Sequence, residues 1–344
     1  MNQDHHRNRM HPFAWFHDRT AGGDATSEQI LATHARTSFN FAARFLPPHQ
    51  RRCATDLYAF FRTLDDLVDE SAPGVSEATV RGELNAWRVW LDSPRTSNAP
   101  REPLGVNLAR VIESCGISID IFHHMLDGLE DDLGPRELED EAALHTYCYQ
   151  VASTVGYAMA HVLGATSTSA LSAAEQLGAA MQLTNILRDV GEDLDADRVY
   201  LPRTILAHYG LCRTDLEHMR HGNGPDERFR ALMTAEIARA HALYDDAQAG
   251  IWLLPPDCRL PILIASRLYR RLLPLIEANE YDTLRQRAAT TRFQKAREAA
   301  VCGTLVWRGR HLPPATNGDG ARSAVLAGVP PVADPQSAMD MRGD

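Results

Sequence analysis

Two aspartate pairs, each spaced four residues apart and each following an apolar run, are the part of this sequence best equipped to do chemistry. Asp65 and Asp69 follow Leu57-Tyr-Ala-Phe-Phe-Arg-Thr-Leu64, and Asp189 and Asp193 follow Ala179-Ala-Met-Gln-Leu-Thr-Asn-Ile-Leu187. On a helix, residues four apart share a face, so each pair sets two carboxylates side by side. Like charges at that spacing cost about 0.2–0.5 kcal/mol unless a cation answers them. A hard divalent ion suits them: Mg2+ keeps several waters, accepts one or two carboxylates and bridges to phosphate oxygens. Asp65, Asp69, Asp189 and Asp193 are therefore the candidate ligands for Mg2+, with Mn2+ as a substitute. Gln182 and Asn185 occupy nearby turns on the side of Asp189, and Arg198 and Tyr200 follow it, a guanidinium being a planar fork matched to phosphate. The outline is that of a diphosphate site.

Spacing alone does not select these pairs. With 27 Asp in 344 residues, roughly two Asp-x-x-x-Asp pairs are expected by chance, and five occur, at 65/69, 127/131, 189/193, 193/197 and 340/344. The company they keep separates them. Two helix ends of similar make, at 65–69 and 189–193, can face each other across one cavity. The acidic run from Asp127 to Asp132 is interrupted by Gly128 and closed by Gly134-Pro135, and it reads as mainly a solvated face.

The elements that must position these residues are helices. Apolar periodicity runs through windows of 15 to 25 residues, with no Asn-Gly hairpin and no series of alternating strands, so the fold class expected is all-α. Expected helices span Ser27 to Phe45, stopped by Pro47-Pro48, then His49 to Glu70, 76–92, 104–115 and 118–132, with a surface loop at 93–103. Further helices are expected at 142–163, 226–250, 258–279 and 283–309. Ser172 with Glu175 has the form of a capping box for the helix that carries Asp189. Residues 1–25, with four histidines, read as a flexible leader, 26–310 as one domain, and 311–344 as a Pro/Gly/Ala-rich tail too poor in apolar residues to order itself.

A formal charge of −10 argues against a nucleic-acid partner. Six scattered cysteines with no Cys-x-x-Cys suggest neither a zinc site nor a disulfide framework, and fit a reducing cytoplasm. No apolar stretch reaches the roughly 18 residues needed to span a bilayer.

The sequence resembles the squalene/phytoene synthases, which join two prenyl diphosphates head to head. Three segments carry the resemblance: 56–70 (Asp-Leu-Tyr-Ala-Phe-Phe-Arg-Thr-Leu-Asp-Asp-Leu-Val-Asp-Glu), 147–156 (Tyr-Cys-Tyr-Gln-Val-Ala-Ser-Thr-Val-Gly) and 182–202, within a match running from about Ile30 to about Arg297. It implies an isoprenoid-synthase-type helical bundle around a central apolar cavity. It places Ser38 and Phe39 near diphosphate and prenyl chain, and Tyr147, Val151, Ala152 and Val155 along the prenyl tunnel. Arg62 and Arg287 would lie near phosphate, and Tyr269 beside the reacting diphosphate as a catalytic group. Ser153 stands where many members have Gly.

The activity so implied is condensation of two prenyl diphosphates through a cyclopropyl diphosphate, two geranylgeranyl diphosphates giving phytoene without NADPH. Two farnesyl diphosphates would instead give squalene, dehydrosqualene or presqualene diphosphate. The reactive cations need a dry pocket with aromatic faces, for which Phe39, Phe60 and Tyr269 are candidates. Monomer or dimer, cytoplasmic, with peripheral membrane contact where an apolar product leaves, completes the expectation. Two rivals stand beside it. A head-to-tail prenyltransferase or terpene cyclase shares Asp65-Asp66-x-x-Asp69 but not a second site reading Asp-x-x-Glu-Asp before Arg-Val-Tyr-Leu-Pro. A non-catalytic helical assembly factor would be expected to have lost acidic residues that this chain keeps.

Overall fold

The computed structural model describes residues 27–33, 38–69, 75–94, 98–165 and 167–309. The chain divides into two units, Met1–Arg310 and His311–Asp344. The leader at 1–25 and the tail at 311–344 lie outside the described residues.

The architecture is all-α, built around one long helix. That helix, α9, runs from Thr168 to Asp195, and α7 (Glu141–Cys148), α8 (Thr154–Val162), α12 (Glu227–Ile251), α13 (Pro256–Arg270) and α14 (Leu272–Ala278) pack against it. The other helices are α1 (Ser27–Thr33), α2 (Ser38–Ala43), α3 (Pro48–Asp69), α4 (Glu77–Leu91), α5 (Leu104–Cys115), α6 (Ile119–Asp131), α10 (Arg203–His208), α11 (Arg213–His221) and α15 (Arg292–Gly309). A two-residue parallel ladder, β1 (Arg136–Glu137) with β2 (Arg198–Val199), is the departure from all-helix among the described residues. It ties the segment after α6 to the segment after α9, which matters for the site.

Local chemistry explains most boundaries. Asp140 and Asp226 accept from Ala143 N and Phe229 N at 2.9 Å and so start α7 and α12. Gly116, at φ 63°, ends α5 in the left-handed conformation that glycine adopts without cost. The expected capping box at Ser172 is not the start of α9. Ser167 is, its hydroxyl accepting from Ala170 N at 3.2 Å, so one more turn joins the helix before Ser172. The single helix expected over 258–279 is broken at Arg271, because the ring of Pro274 cannot follow the carbonyl of Arg270 in a continuous helix. The last helix starts at Arg292 rather than 283. Residues 283–284 spend their carbonyls elsewhere: Thr283 O accepts from Gly191 N at 3.1 Å, and Leu284 O accepts from Arg220. Residues 34–37, inside the expected first helix, are not described.

Between α7 and α8 the chain makes one π-turn, Tyr149–Ser153. Such turns widen a helix by one residue and rotate the segment beyond them. This one lies directly on α9: a Cβ at Gly178 would sit 2.5 Å from Ala152 O, so only glycine permits the approach. Beneath α3, Phe60, Phe61, Trp87 and Phe122 form an aromatic cluster with centroid spacings of 5.2–6.1 Å. Each such side chain contributes about 1.5–3 kcal/mol by burial.

Candidate active site

Helices α3 and α9 deliver their acidic ends to one place, which is floored by an apolar cavity. The cavity lies between α2, α3, α8, α9, α12 and α13. Tyr58, Phe39, Met181 and Tyr269 line it on the side toward the acidic ends, and Leu163, Ala170, Leu254 and Pro261 line it farther away. Phe39 and Tyr58 stack at 4.6 Å and 9°.

Convergence of the two motifs is fixed by residues beyond α9. Arg198 Nη1 lies 3.4 Å from Asp69 Oδ1, and its Nη2 donates to Asp132 O at 2.6 Å. The Asp132 carboxylate accepts from Tyr200 Oη and from Arg136 Nη1, each at 2.9 Å. Tyr200 stacks on Tyr147 at 4.5 Å, and the Arg136 guanidinium sits 4.7 Å over the Tyr147 ring. The β1–β2 ladder supplies the frame, since it pairs Arg136 with Arg198. Asp132 is fully buried, while Asp131 and Asp127 are 57% and 44% exposed. The solvated face read in the sequence is thus right for two of these aspartates and wrong for Asp132, whose partners are Arg136, four residues on, and Arg198 and Tyr200, more than 60 residues later.

Every motif carboxylate lies beside a guanidinium. Arg62 donates to Asp65 Oδ2 at 2.8 Å and pairs with Asp66. Arg188 Nε donates to Asp189 Oδ1 at 2.8 Å, and Arg287 Nε reaches the same oxygen at 2.8 Å. Burial pushes the Asp189 carboxyl up, but Arg188 and Arg287 outweigh it and hold the group below the usual carboxylate range. Asp69 and Asp193 go the other way. Burial, followed by the charge of the acid one turn before each, drives both well above that range, with Arg198 opposing. Burial raises Asp132 too, against Arg136 and Arg198. Tyr269 is buried, faces the cavity, and has its phenol pushed up by burial and drawn down by Arg188.

The donor set fits a hard divalent cation. Among the described residues no three His, Cys, Asp or Glu side chains close into a ready-made cage. Mg2+ does not ask for one, since it keeps waters and takes one or two carboxylates. What the site does show is two buried acids, Asp69 and Asp193, that are costly to ionise where they stand, each one turn from another carboxylate on the same helix. Positive charge from a dication removes that cost.

A family model described as squalene/phytoene synthase matches residues 32–294. The chain belongs to that family. It is 39% identical over 269 residues to the phytoene synthase of Thermus thermophilus, covering 78% of this chain and 88% of that one. It is 35% identical over 274 residues to the chloroplastic phytoene synthase of an Oncidium hybrid cultivar, 78% of this chain but only 64% of the length of that relative. A crystal structure of a dehydrosqualene synthase in complex with ligand superposes with a TM-score of 0.71 at 26% identity, over 82% of this chain and 95% of the other. Members of this family use prenyl diphosphates, and the bundle and cavity expected from the resemblance are those observed.

Most of the residues nominated from the sequence fall into three groups in the structure. Phe39, Val155 and Tyr269 line the cavity. Arg62, Arg198, Tyr200, Tyr147 and Arg287 lie with the motif aspartates and Asp132 in the polar network, off the wall of this cavity. Gln182 and Asn185 are buried on α9, Asn185 Nδ2 donating to Gln182 Oε1 at 3.3 Å. Tyr147 therefore stands with the polar network and not on the wall of this cavity. Val151 and Ala152 also miss that wall: Val151 packs over Gly128 and Ala152 over Gly178, because the π-turn rotates the chain between them and Val155. Phe60 is in the aromatic cluster, and its neighbour Phe61 lines the cavity. Ser38 opens α2, but its side chain is outside the described residues. Sequence reasoning missed Asp132, Arg136, Arg188, Glu192 and Tyr58. Of these only Arg188 and Glu192, inside the second motif, and Tyr58, one turn before Arg62, stood where a closer reading could have found them.

Proposed function

We propose that this protein condenses two geranylgeranyl diphosphates head to head to phytoene, as an early step of carotenoid synthesis. The observation that carries the reading is the meeting of both acidic helix ends, through Arg198 and Asp132, beside an apolar cavity whose wall includes Tyr58 and Tyr269. Asp65, Asp69, Asp189 and Asp193 would hold Mg2+, which supplies Lewis-acid stabilisation of a departing diphosphate. Arg62, Arg198 and Arg287 bind phosphate oxygens in the same proposal, with Tyr269 beside the reacting carbons. Phe39, Tyr58 and Tyr269 present ring faces to the cations, and the apolar wall excludes water. The names of the Thermus and Oncidium relatives support the twenty-carbon donor.

A second reading, condensation of two farnesyl diphosphates, draws on the structural likeness to a dehydrosqualene synthase. Both readings place the work in the cytoplasm, by a monomer or dimer, with peripheral membrane contact where a water-insoluble hydrocarbon departs. Among the described residues no helix is long and apolar enough to cross a membrane.

Purified protein given an equimolar mixture of the fifteen- and twenty-carbon diphosphates with Mg2+ should yield a forty-carbon triene as the main chromatographic peak. A thirty-carbon product would transfer the assignment to the second reading, and chain elongation with isopentenyl diphosphate would refute both. Asp189→Ala should lower turnover at least about 10³-fold with an unchanged far-ultraviolet dichroism spectrum, and chelation of the metal should do the same to the wild type.

A further inference from the structure

Helix α9 passes both the acidic motif and the cavity, so its residues measure depth. At 1.5 Å per residue, Met181 lies about 12 Å before Asp189, Ala174 about 22 Å, and Ala170 about 28 Å. An extended chain covers about 1.2 Å per bond, so each four-carbon step of a prenyl backbone adds about 5 Å. One isoprene unit therefore matches one turn of α9. With the diphosphate occupying about the first 6 Å beyond the aspartates, three units end near 21 Å and four near 26 Å on the same scale.

From this we infer that Ala174 marks the boundary between a fifteen- and a twenty-carbon donor, and that the space between Ala174 and Ala170 is the compartment for the fourth isoprene unit. The inference rests on the prenyl diphosphate reading above. Small residues create the compartment. Ala173 meets Gly250 of α12 so closely that a Cβ on that glycine would overlap the Ala173 methyl, and Ala170 and Ala174 present only methyl groups to the cavity. Leu163, Leu254 and Pro261 line the cavity at this depth. A larger side chain at position 174 projects into the volume the fourth unit needs and leaves the first three turns from Asp189 untouched. Position 173 is unsuited to the experiment, because added bulk there strikes α12 before it reaches the cavity.

Ala174→Leu is the test, with Ala170→Leu one turn deeper for comparison. A single methylene in a tight pocket discriminates by about 10- to 200-fold, so Ala174→Leu should cut the twenty- over fifteen-carbon preference in kcat/KM by at least about tenfold while fifteen-carbon turnover stays near wild type. Ala170→Leu, which reaches only the end of the fourth unit, should give a smaller change in the same direction. Binding of the unreactive thiolo-diphosphate analogues of both lengths is measured in parallel. Twenty-carbon binding that weakens selectively in Ala174→Leu supports the ruler even if turnover assays show the reaction to be another one. A length ratio within twofold of wild type, in binding and in turnover, overturns it, as does an Ala170→Leu effect larger than that of Ala174→Leu. Wild-type protein that binds neither analogue and turns over neither substrate refutes the functional reading itself, and the ruler with it.

Discussion

Gly191→Ala should disable the site without replacing a charged residue. Gly191 lies between Asp189 and Asp193, and segment 283–287 is laid against it. A Cβ at this position would stand 2.6 Å from the Leu284 carbonyl carbon, nearer still to its oxygen, and 2.9 Å from Arg220 Nη1. Ordinary carbon contacts need about 3.5 Å, so the segment must retreat by about 1 Å or more. Three interactions go with it. The Gly191 N to Thr283 O hydrogen bond, 3.1 Å, is worth about 0.5–1.5 kcal/mol, and the charge-assisted bond from Arg287 to Asp189, 2.8 Å, about 1.5–3 kcal/mol. Leu284, fully buried, begins to unseat as well. A loss of about 2–4 kcal/mol in stability results. A 1 Å displacement of Arg287 should cost about 10²-fold in activity. Steady-state kcat/KM on the twenty-carbon diphosphate and a urea midpoint measure the two. The decisive comparison is a double-mutant cycle: Gly191→Ala and Arg287→Ala remove the same contact, so the double variant should be little worse in activity than either single one. Activity within threefold of wild type in Gly191→Ala, or losses that multiply in the double variant, would refute the claim that the glycine acts through Arg287.

Two more outcomes are expected. Asp132→Asn leaves the Arg136 and Arg198 guanidiniums facing a neutral group in buried surroundings and should lower stability by about 2–4 kcal/mol, whereas Asp131→Asn should stay within about 0.5 kcal/mol. Equal urea midpoints for the two variants would show that burial of Asp132 is not energetically distinctive. Glu192 is raised from 4.5 to about 7, first by burial and then by the Asp189 charge, with Arg287 opposing. In the metal-free protein the unfolded chain sheds that proton near pH 4.5 and the folded chain only near 7. The group's contribution to stability therefore falls as pH rises through this window. Glu192→Gln should remove about 1–2 kcal/mol of that slope after allowing for solvent screening, and identical slopes in wild type and variant would contradict it.

The sequence disclosed what is local. Periodicity gives the helices, because a buried face repeats every three to four residues whatever lies opposite. Asp65, Asp69, Asp189 and Asp193 were legible because each pair follows an apolar run on a single helix, so spacing alone puts both members on one face. Phe39 and Tyr269 could be named only through resemblance, since an aromatic at helical spacing looks the same whether it meets a core or a cavity. Val151 and Ala152 were likewise nominated by resemblance, and they lie inside the π-turn, packed over Gly128 and Gly178, a placement that a count at 3.6 residues per turn does not anticipate. Phe61, which also belongs to the aromatic cluster, lines the cavity where Phe60 was expected to. Adjacent aromatics on α3 face directions about 100° apart, and nothing in the local pattern says which direction holds the cavity.

What escaped is what long-range packing supplies. Burying four aspartates near one another is unfavourable until cations are brought to them. Two of those cations, Arg62 and Arg188, lie on the same helices as the acids. The others, Arg198 and Arg287, come from a ladder and from a loop, and each is placed by contacts of the backbone. Arg198 is set by the pairing of β2 with β1, which also aligns Arg136 and the otherwise ordinary Asp132. Arg287 is set by the absence of a side chain at Gly191 and by Leu284 O accepting from Arg220. Because Arg198 sits 129 residues from Asp69, and Arg287 98 residues from Asp189, no window of sequence contains both halves of either pair. The acids can be read from the sequence, but the charges that make their burial tolerable depend on backbone geometry, and that is why a neutral glycine and a two-residue ladder belong to the electrostatics of the site.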